Sequence, residues 1–502
     1  MTDSAQTSTG SAIAGLFAVF LSIGILFALL ADSLGWKGAA LIPALSIVAL
    51  VLPALRKEAL ARLRVLRRNV SWWHVLWLLA FASALVFRIR DTQDISDSAL
   101  DFWALYRIGL MGIVGFVLVT RLALGKPPFS MALFHGILGR LFAYALICIL
   151  STTWSAYRAW TLYKSIEYLV VVVLLAAIVA TCGSLRNYKQ LVDYTWTIDG
   201  LLLLSIWIGA VIAPSMAFEP AGGVIGVQLQ GVMPIIADNG VGHVSAILAV
   251  VALSRFLRMP QRRSSRIFYL TIFGIALITM ALAQTRSAIL GFVFGTVLLL
   301  YFSRRIGALV CVCLIAFLLF LATSAGPFFE RYMRRGQDAD EVASLSGRTD
   351  WWEFGWTELQ SRPWTGMGAF TARFTVLAKF GDQEVSTVHN TYLEAALGVG
   401  IIGLFALLAT FIGVWASLVR ELRRPAFDPA RHELALEVMA VLGVITVRSF
   451  FSVGLVVHYD IDFMTLVGFA ELCRQFPDRA IVPASDRELA LQSASLSTRT
   501  AW

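Results

Sequence analysis

One histidine and a set of arginines carry most of the chemistry that this 502-residue sequence offers. His389 stands in STVHNTYLEAALGVG, just ahead of an apolar, glycine-spaced stretch. An imidazole with an ordinary pKa of about 6.5 is suited to taking a proton at neutral pH. Glu394 follows it, but not on the same face of a regular helix, so its relation to the imidazole stays open. Arg286, in ALAQTRSAILG, lies between two apolar runs. A charge so placed faces a cavity or a partner, or snorkels to an interface. LSTTWSAYRAWTLYKSIEYL adds Arg158, Lys164 and Glu167, and Arg88 with Arg90 marks a third cationic corner. In ERYMRRG the spacing predicts Arg331, Arg334 and Arg335 on one helical face, fit for a polyanion or for a solvated or headgroup-facing helix end. Arg348 opens the tryptophan-rich stretch SGRTDWWEFGWTELQSRPWTGMGAF, which reads as a helix lying on a membrane surface before a Pro and Gly turn. Proton transfer and anion binding are the chemistries these types supply.

The elements that must position them are membrane helices. The chain is 58% hydrophobic and 15% charged, with a mean hydropathy of +0.76, so one soluble core cannot bury its apolar surface. Apolar runs fall near 12–31, 38–55, 71–87, 102–120, 130–150, 162–181, 195–213, 240–254, 267–284, 287–302, 306–323, 396–418, 434–450 and 461–474. The pairs 267–284 with 287–302 and 434–450 with 461–474 read as separate or broken spans, giving about twelve to fourteen crossings of a hydrocarbon layer that takes roughly 20 residues each. The fold class is therefore all-α and polytopic.

Arginine and lysine crowd alternate loops: Arg56 to Arg68, Arg255 to Arg266, and Arg420 to Arg431. Cytoplasmic retention of these charges puts both termini inside, and the acidic 91–101 loop and the long loop 324–395 outside. The expected organisation is N-terminal membrane helices over 1–323, a largely helical periplasmic loop with His389 over 324–395, C-terminal helices over 396–474 and a disordered cytoplasmic tail over 475–502. MTDSAQTSTG lacks the basic start of a cleaved signal, so the first apolar run is expected to be retained. Five scattered cysteines give no disulfide or zinc pattern, and DADE at 338–341 reads as a solvated loop rather than a magnesium site. The net charge of +9 is accounted for by the loops, so nucleic acid is not implied.

TRSAILG, GRTDWWEFGW, PWTGMG and HNTYLEAALGVGIIG, in that order, resemble the O-antigen ligase and polymerase superfamily, and STTWSAYRAWTLYKSIEYL is similar to an upstream segment of it. The resemblance spans roughly residues 150–405. It implies a metal-independent glycosyltransferase of the GT-C type in the bacterial inner membrane, without a cofactor. Its donor would be a glycan on undecaprenyl diphosphate, and in the ligase branch the acceptor is lipid A-core. By the same resemblance Arg286 binds the diphosphate, Arg348 contributes, and His389 is the base. Relatives often carry a second arginine where this chain has 214–239, a segment with none, which leaves Arg88, Arg158 and Lys164 as substitutes. Attack opposite the diphosphate would invert the anomeric centre. Polymerase and protein-glycosylating relatives share the donor, and a lipid or anion transporter is the alternative from another class.

Overall fold

The computed structural model describes residues 70–88, 101–125, 133–222, 224–258, 263–311, 325–380, 387–424 and 428–475, with 53, 56–61, 64 and 314. The spans read at 12–31, 38–55 and 306–323, the acidic 91–100 stretch and the tail after Gln475 lie wholly or largely outside the described residues.

The order is α1 (Trp72–Ala84), α2 (Phe102–Ala123), α3 (Gly136–Leu150), α4 (Arg158–Cys182) and α5 (Leu185–Ile212). Two small antiparallel hairpins follow, β1 (Phe218–Pro220) with β2 (Val227–Leu229) and β3 (Gly231–Val232) with β4 (Ile235–Ile236). Then come α6 (Asp238–Arg258), α7 (Arg263–Ala283), α8 (Arg286–Phe302), α9 (Ala325–Arg334), α10 (Arg348–Ser361), α11 (Ala372–Phe380), α12 (Thr391–Arg423), α13 (Pro429–Ser449) and α14 (Ile461–Gln475). Seven helices of the described residues are long and apolar enough to cross a membrane, and α1 and α8 are shorter apolar ones. The protein is an all-α polytopic membrane protein. The apolar pair 267–284 and 287–302 forms two helices that lean on different partners, α7 on α6 and α8 on α13.

Long side chains fill the interior, among them Trp77, Leu138, Tyr168, Leu174, Phe463 and Phe469. Apolar residues on the outside, such as Phe116 and Val119 of α2 and Leu204 and Val211 of α5, remain exposed. That inside-out pattern is what a hydrocarbon solvent permits.

Arg255 and Arg258, read from the sequence as loop charges, belong to the last turn of α6 and are drawn inward. Arg255 donates to Glu437 Oε2 at 2.8 Å and to Asp193 Oδ1 at 2.6 Å, Arg258 reaches Glu437 at 2.8 Å, and Trp196 Nε1 completes the Glu437 shell at 2.9 Å. A buried carboxylate needs such partners, and the network ties α5, α6 and α13 at the end of α6 away from Asp238.

The glycines of α12 do more than let helices pack closely. Gly400 is non-helical at φ 69°, and the backbone groups freed there bond outward. Met367 N donates to Leu397 O at 2.8 Å, Gly368 N to Gly398 O at 2.9 Å and Ile401 N to Pro363 O at 2.8 Å. The PWTGMG turn thus repairs a break in the longest helix, the condition under which irregular backbone is tolerated at membrane depth. A Cβ at Gly400 would run into the Trp364 carbonyl. Gly400→Ala is therefore expected to lower thermal stability by at least the roughly 1–2 kcal/mol of left-handed strain, read as a fall in Tm of the purified protein.

Candidate active site

Helix N-termini converge at one end of the bundle. Thr285, which precedes α8, donates its Oγ1 to Asp238 O at 3.0 Å and locks the start of α8 to the start of α6. Gly242 leaves room for that contact, since a Cβ there would strike Thr285. Arg286 is the first residue of α8. It donates Nη2 to Gln337 Oε1 and to Arg334 O, while its Nε is buried without a partner.

Arg348 is the first residue of α10, following Gly347 at φ 78°. Its Nε is also buried and unpaired. Burial pushes the Arg348 guanidinium below its ordinary range, and the neighbouring Arg286 and Arg335 add to this while Asp238 opposes it. Arg335 lies just past α9 with φ 56°, so it leaves the helical face expected to carry Arg331, Arg334 and Arg335 together. It turns inward, donating to Gln228 Oε1 at 2.6 Å with Asp238 Oδ2 at 3.9 Å. Arg334 stays exposed and pairs with Glu330 at 2.6 Å, and Arg331 is exposed as well.

Arg448, in the last turn of α13, is 4% exposed. It donates to Asn239 O at 2.9 Å and approaches Ser287 Oγ at 3.4 Å, next to Asp238 and Arg286 in sequence. Arg335, Arg348 and Arg448 thus face one carboxylate, Asp238, and Arg286 adjoins Arg335 and Arg348. Excess positive charge at converging helix N-termini favours an anion with several oxygens.

His389 is half-buried with φ 50°. Its neighbours hold it there: Trp352 Nε1 donates to Val388 O at 2.9 Å, and Asn390 Oδ1 caps α12 through Tyr392 N and Leu393 N. Glu394 accepts from Val388 N at 3.2 Å, so it braces the backbone beside His389 rather than the imidazole. The ring lies 5.3 Å from that of Trp351. Burial, then the Arg348 charge, push the imidazole down to about 4, which leaves it neutral at pH 7. Because the Arg348 charge adds to the larger effect of burial, Arg348→Gln is expected to move the acid limb of kcat/KM upward while burial keeps it below the ordinary histidine value near 6.5, whatever it does to the maximum rate. A pH profile of the two proteins reads this directly.

A cavity of about 180 Å³ runs from Thr391 past Asn239, His243 and Arg448 to Ser452 and Asp460. The loop above is pinned to the upstream STTW segment, with Trp154 Nε1 on Thr365 O at 3.1 Å, Ser151 Oγ accepting from Ala369 N at 2.9 Å and Trp160 Nε1 on Phe370 O at 2.9 Å.

Of the arginine substitutes, Lys164 is 4% exposed but held in another cluster, by Glu167 at 2.6 Å and His458 Nδ1 at 3.2 Å. Arg158 and Arg88 are exposed. Arg335 and Arg448 bring further guanidiniums to the corner of Arg348 and Asp238 from outside 214–239. Arg448 was not singled out, although it closes an apolar run in ITVRSFF just as Arg286 opens one. His243, Asp460 and Asp462 are the described residues whose ligand atoms are close enough to hold a metal ion.

These features describe a polytopic membrane protein with a cationic, partly desolvated cluster beside a neutral imidazole. Residues 271–408 match the family model described as O-Antigen ligase, consistent with the O-antigen ligase superfamily. The matched stretch contains Arg286, Arg335, Arg348 and His389, while Asp238 and Arg448 fall outside it. The match supports a glycosyltransferase-like enzyme of O-antigen assembly, of ligase or polymerase type, that handles lipid-linked polysaccharide. No curated protein matches the chain.

Proposed function

We propose that the chain is an O-antigen ligase of the GT-C type that moves a glycan from undecaprenyl diphosphate to a sugar hydroxyl of lipid A-core, at the periplasmic face of the bacterial inner membrane. The observation that carries this reading is the gathering of Arg335, Arg348 and Arg448 at Asp238, with Arg286 beside Arg335 and Arg348 and His389 electrostatically coupled to Arg348.

The donor diphosphate sits among the guanidiniums. As the anomeric C–O bond breaks, negative charge grows on the departing diphosphate, and fixed guanidinium donors stabilise it without a proton step. The acceptor hydroxyl attacks from the opposite face, forms the new glycosidic bond and passes its proton to neutral His389. Undecaprenyl diphosphate leaves and the anomeric centre is inverted. A neutral imidazole is a competent acceptor throughout the physiological range, and protonated His389 would repel the arginine cluster, which favours return of the proton to solvent.

The test is transfer by purified protein given undecaprenyl diphosphate-linked glycan and lipid A-core. Glycan on lipid A-core establishes the ligase; longer lipid-linked chains in its place establish a polymerase with the same donor chemistry; no transfer to either acceptor overturns the reading.

A further inference from the structure

Beside the cavity wall formed by Arg448, three helices bring one imidazole and three carboxylates together. His243 lies in the second turn of α6, Asp460 and Asp462 bracket the start of α14, and Asp199 comes from the middle of α5. His243 Nε2 is 3.5 Å from Asp462 Oδ2 and 3.7 Å from Asp460 Oδ2. One ligand atom from each of the three lies within 4.8 Å of the others.

Neither His243 nitrogen has a hydrogen-bond partner, and the Asp462 and Asp199 carboxyls face each other, a contact that is a hydrogen bond only when one of them is protonated. Asp462 is 7% exposed and Asp199 2%, with the Asp199 carboxyl set against that of Asp462. Arg448 is the cation facing Asp460, so the carboxylates outnumber the positive charge around them. Buried carboxylates set this close are costly unless a proton or a cation lies between them. The spacing suits one ion: ligands bonded at about 2.1 Å in a tetrahedral arrangement lie about 3.4 Å apart. One imidazole with carboxylates is a borderline set, better matched to Zn2+ or Mn2+ than to Ca2+, which takes six to eight oxygens.

We propose that His243, Asp460 and Asp462 form a binding site for a divalent transition-metal ion. The ion joins α6 to the start of α14, and so fixes the segment between α13 and α14 that walls the cavity beside Arg448. Its ligands do not include the guanidiniums assigned to the diphosphate, although Arg448 of that cluster faces Asp460, and glycosyl transfer as proposed above takes no step on the ion.

The experiment uses the full chain purified in detergent, stripped with a chelator, exchanged into chelator-free buffer and titrated with MnCl2 or ZnCl2. Bound metal is read by loss of the free Mn2+ resonance and by metal analysis, and folding by thermal unfolding. The wild type is expected to hold one equivalent per chain and to melt at a higher temperature with metal than without. Asp462→Asn removes one of two crowded carboxylates, so without metal it is expected to melt no lower than the wild type, yet to bind more weakly by roughly tenfold or more and to lose the metal-dependent rise. His243→Gln is expected to lose the same rise. A wild type that takes up neither ion, or two variants that bind as the wild type does, overturns the site. Because binding and melting are read without substrate, either result leaves the transfer reading to its own assay.

Discussion

His389→Asn is expected to abolish most transfer, by about 10²- to 10⁴-fold in kcat, with the donor still bound. Asparagine is the informative replacement because it tolerates the left-handed backbone that residue 389 adopts at φ 50°, whereas alanine adds conformational strain to the loss of the base. The imidazole is placed by its backbone neighbours, Val388 held by Trp352 and Glu394 and Asn390 capping α12, so the segment keeps its course when the ring is removed. Binding should survive, since the base acts on the acceptor proton after the diphosphate is seated. Single-turnover transfer by wild type and variant, with donor binding measured in parallel, separates the two. Transfer at the wild-type rate by a folded His389→Asn protein would remove the general-base role. Loss of donor binding to match the loss of rate would make His389 a binding residue instead.

What the sequence makes readable here follows from how membrane chains encode position. A run of apolar residues is nearly sufficient to predict a helix, so α4, α6 and α12 fall close to where hydropathy puts them, while α5 starts ten residues ahead of its apolar run, at Leu185. The interruption at Thr285 and Arg286 shows as a polar break, and it is a real division between α7 and α8. Polar residues at the ends of such runs stand out against the background, which is why His389, Arg286 and Arg348 can be found before any fold is known.

Three things could not be read, each for a physical reason. Arg335 is helical by its spacing, and only the positive φ at Arg335 and Gly336 turns it away from Arg331 and Arg334. The break at Gly400 depends on backbone groups of Pro363, Met367 and Gly368 supplied by a distant turn, and a glycine pattern alone does not distinguish that from close helix packing. The buried Arg255, Arg258 and Glu437 network looks like ordinary loop charge when only one partner is in view. Arg448 is the exception, because the reasoning that selects Arg286 applies to it unchanged.

Arg286→Ala is expected to lower kcat/KM by roughly 10- to 100-fold, the loss of one charge-assisted hydrogen bond worth about 1.5–3 kcal/mol. Arg286→Lys should recover only part of this, because an ammonium is a point charge and cannot reproduce a planar fork on two phosphate oxygens. Nε is unpaired, while Nη2 is held by Gln337 and the Arg334 carbonyl and exchanges one of them for a phosphate oxygen when the fork forms. Arg448 offers the sharper comparison. It reaches the same corner from α13, through Asn239 and Ser287, and lies outside the stretch that matches the family. If both arginines hold one diphosphate, Arg448→Ala should cost a similar factor. The double variant should then fall short of the product of the two losses, since groups that act on one leaving group are not independent. The cycle is measured as kcat/KM for the lipid-linked donor in the four proteins. Full activity in Arg286→Lys would count against bidentate binding. Strict multiplicativity with Arg448 would mean that the two guanidiniums serve different parts of the substrate, and the second diphosphate ligand would then fall to Arg335 or Arg348.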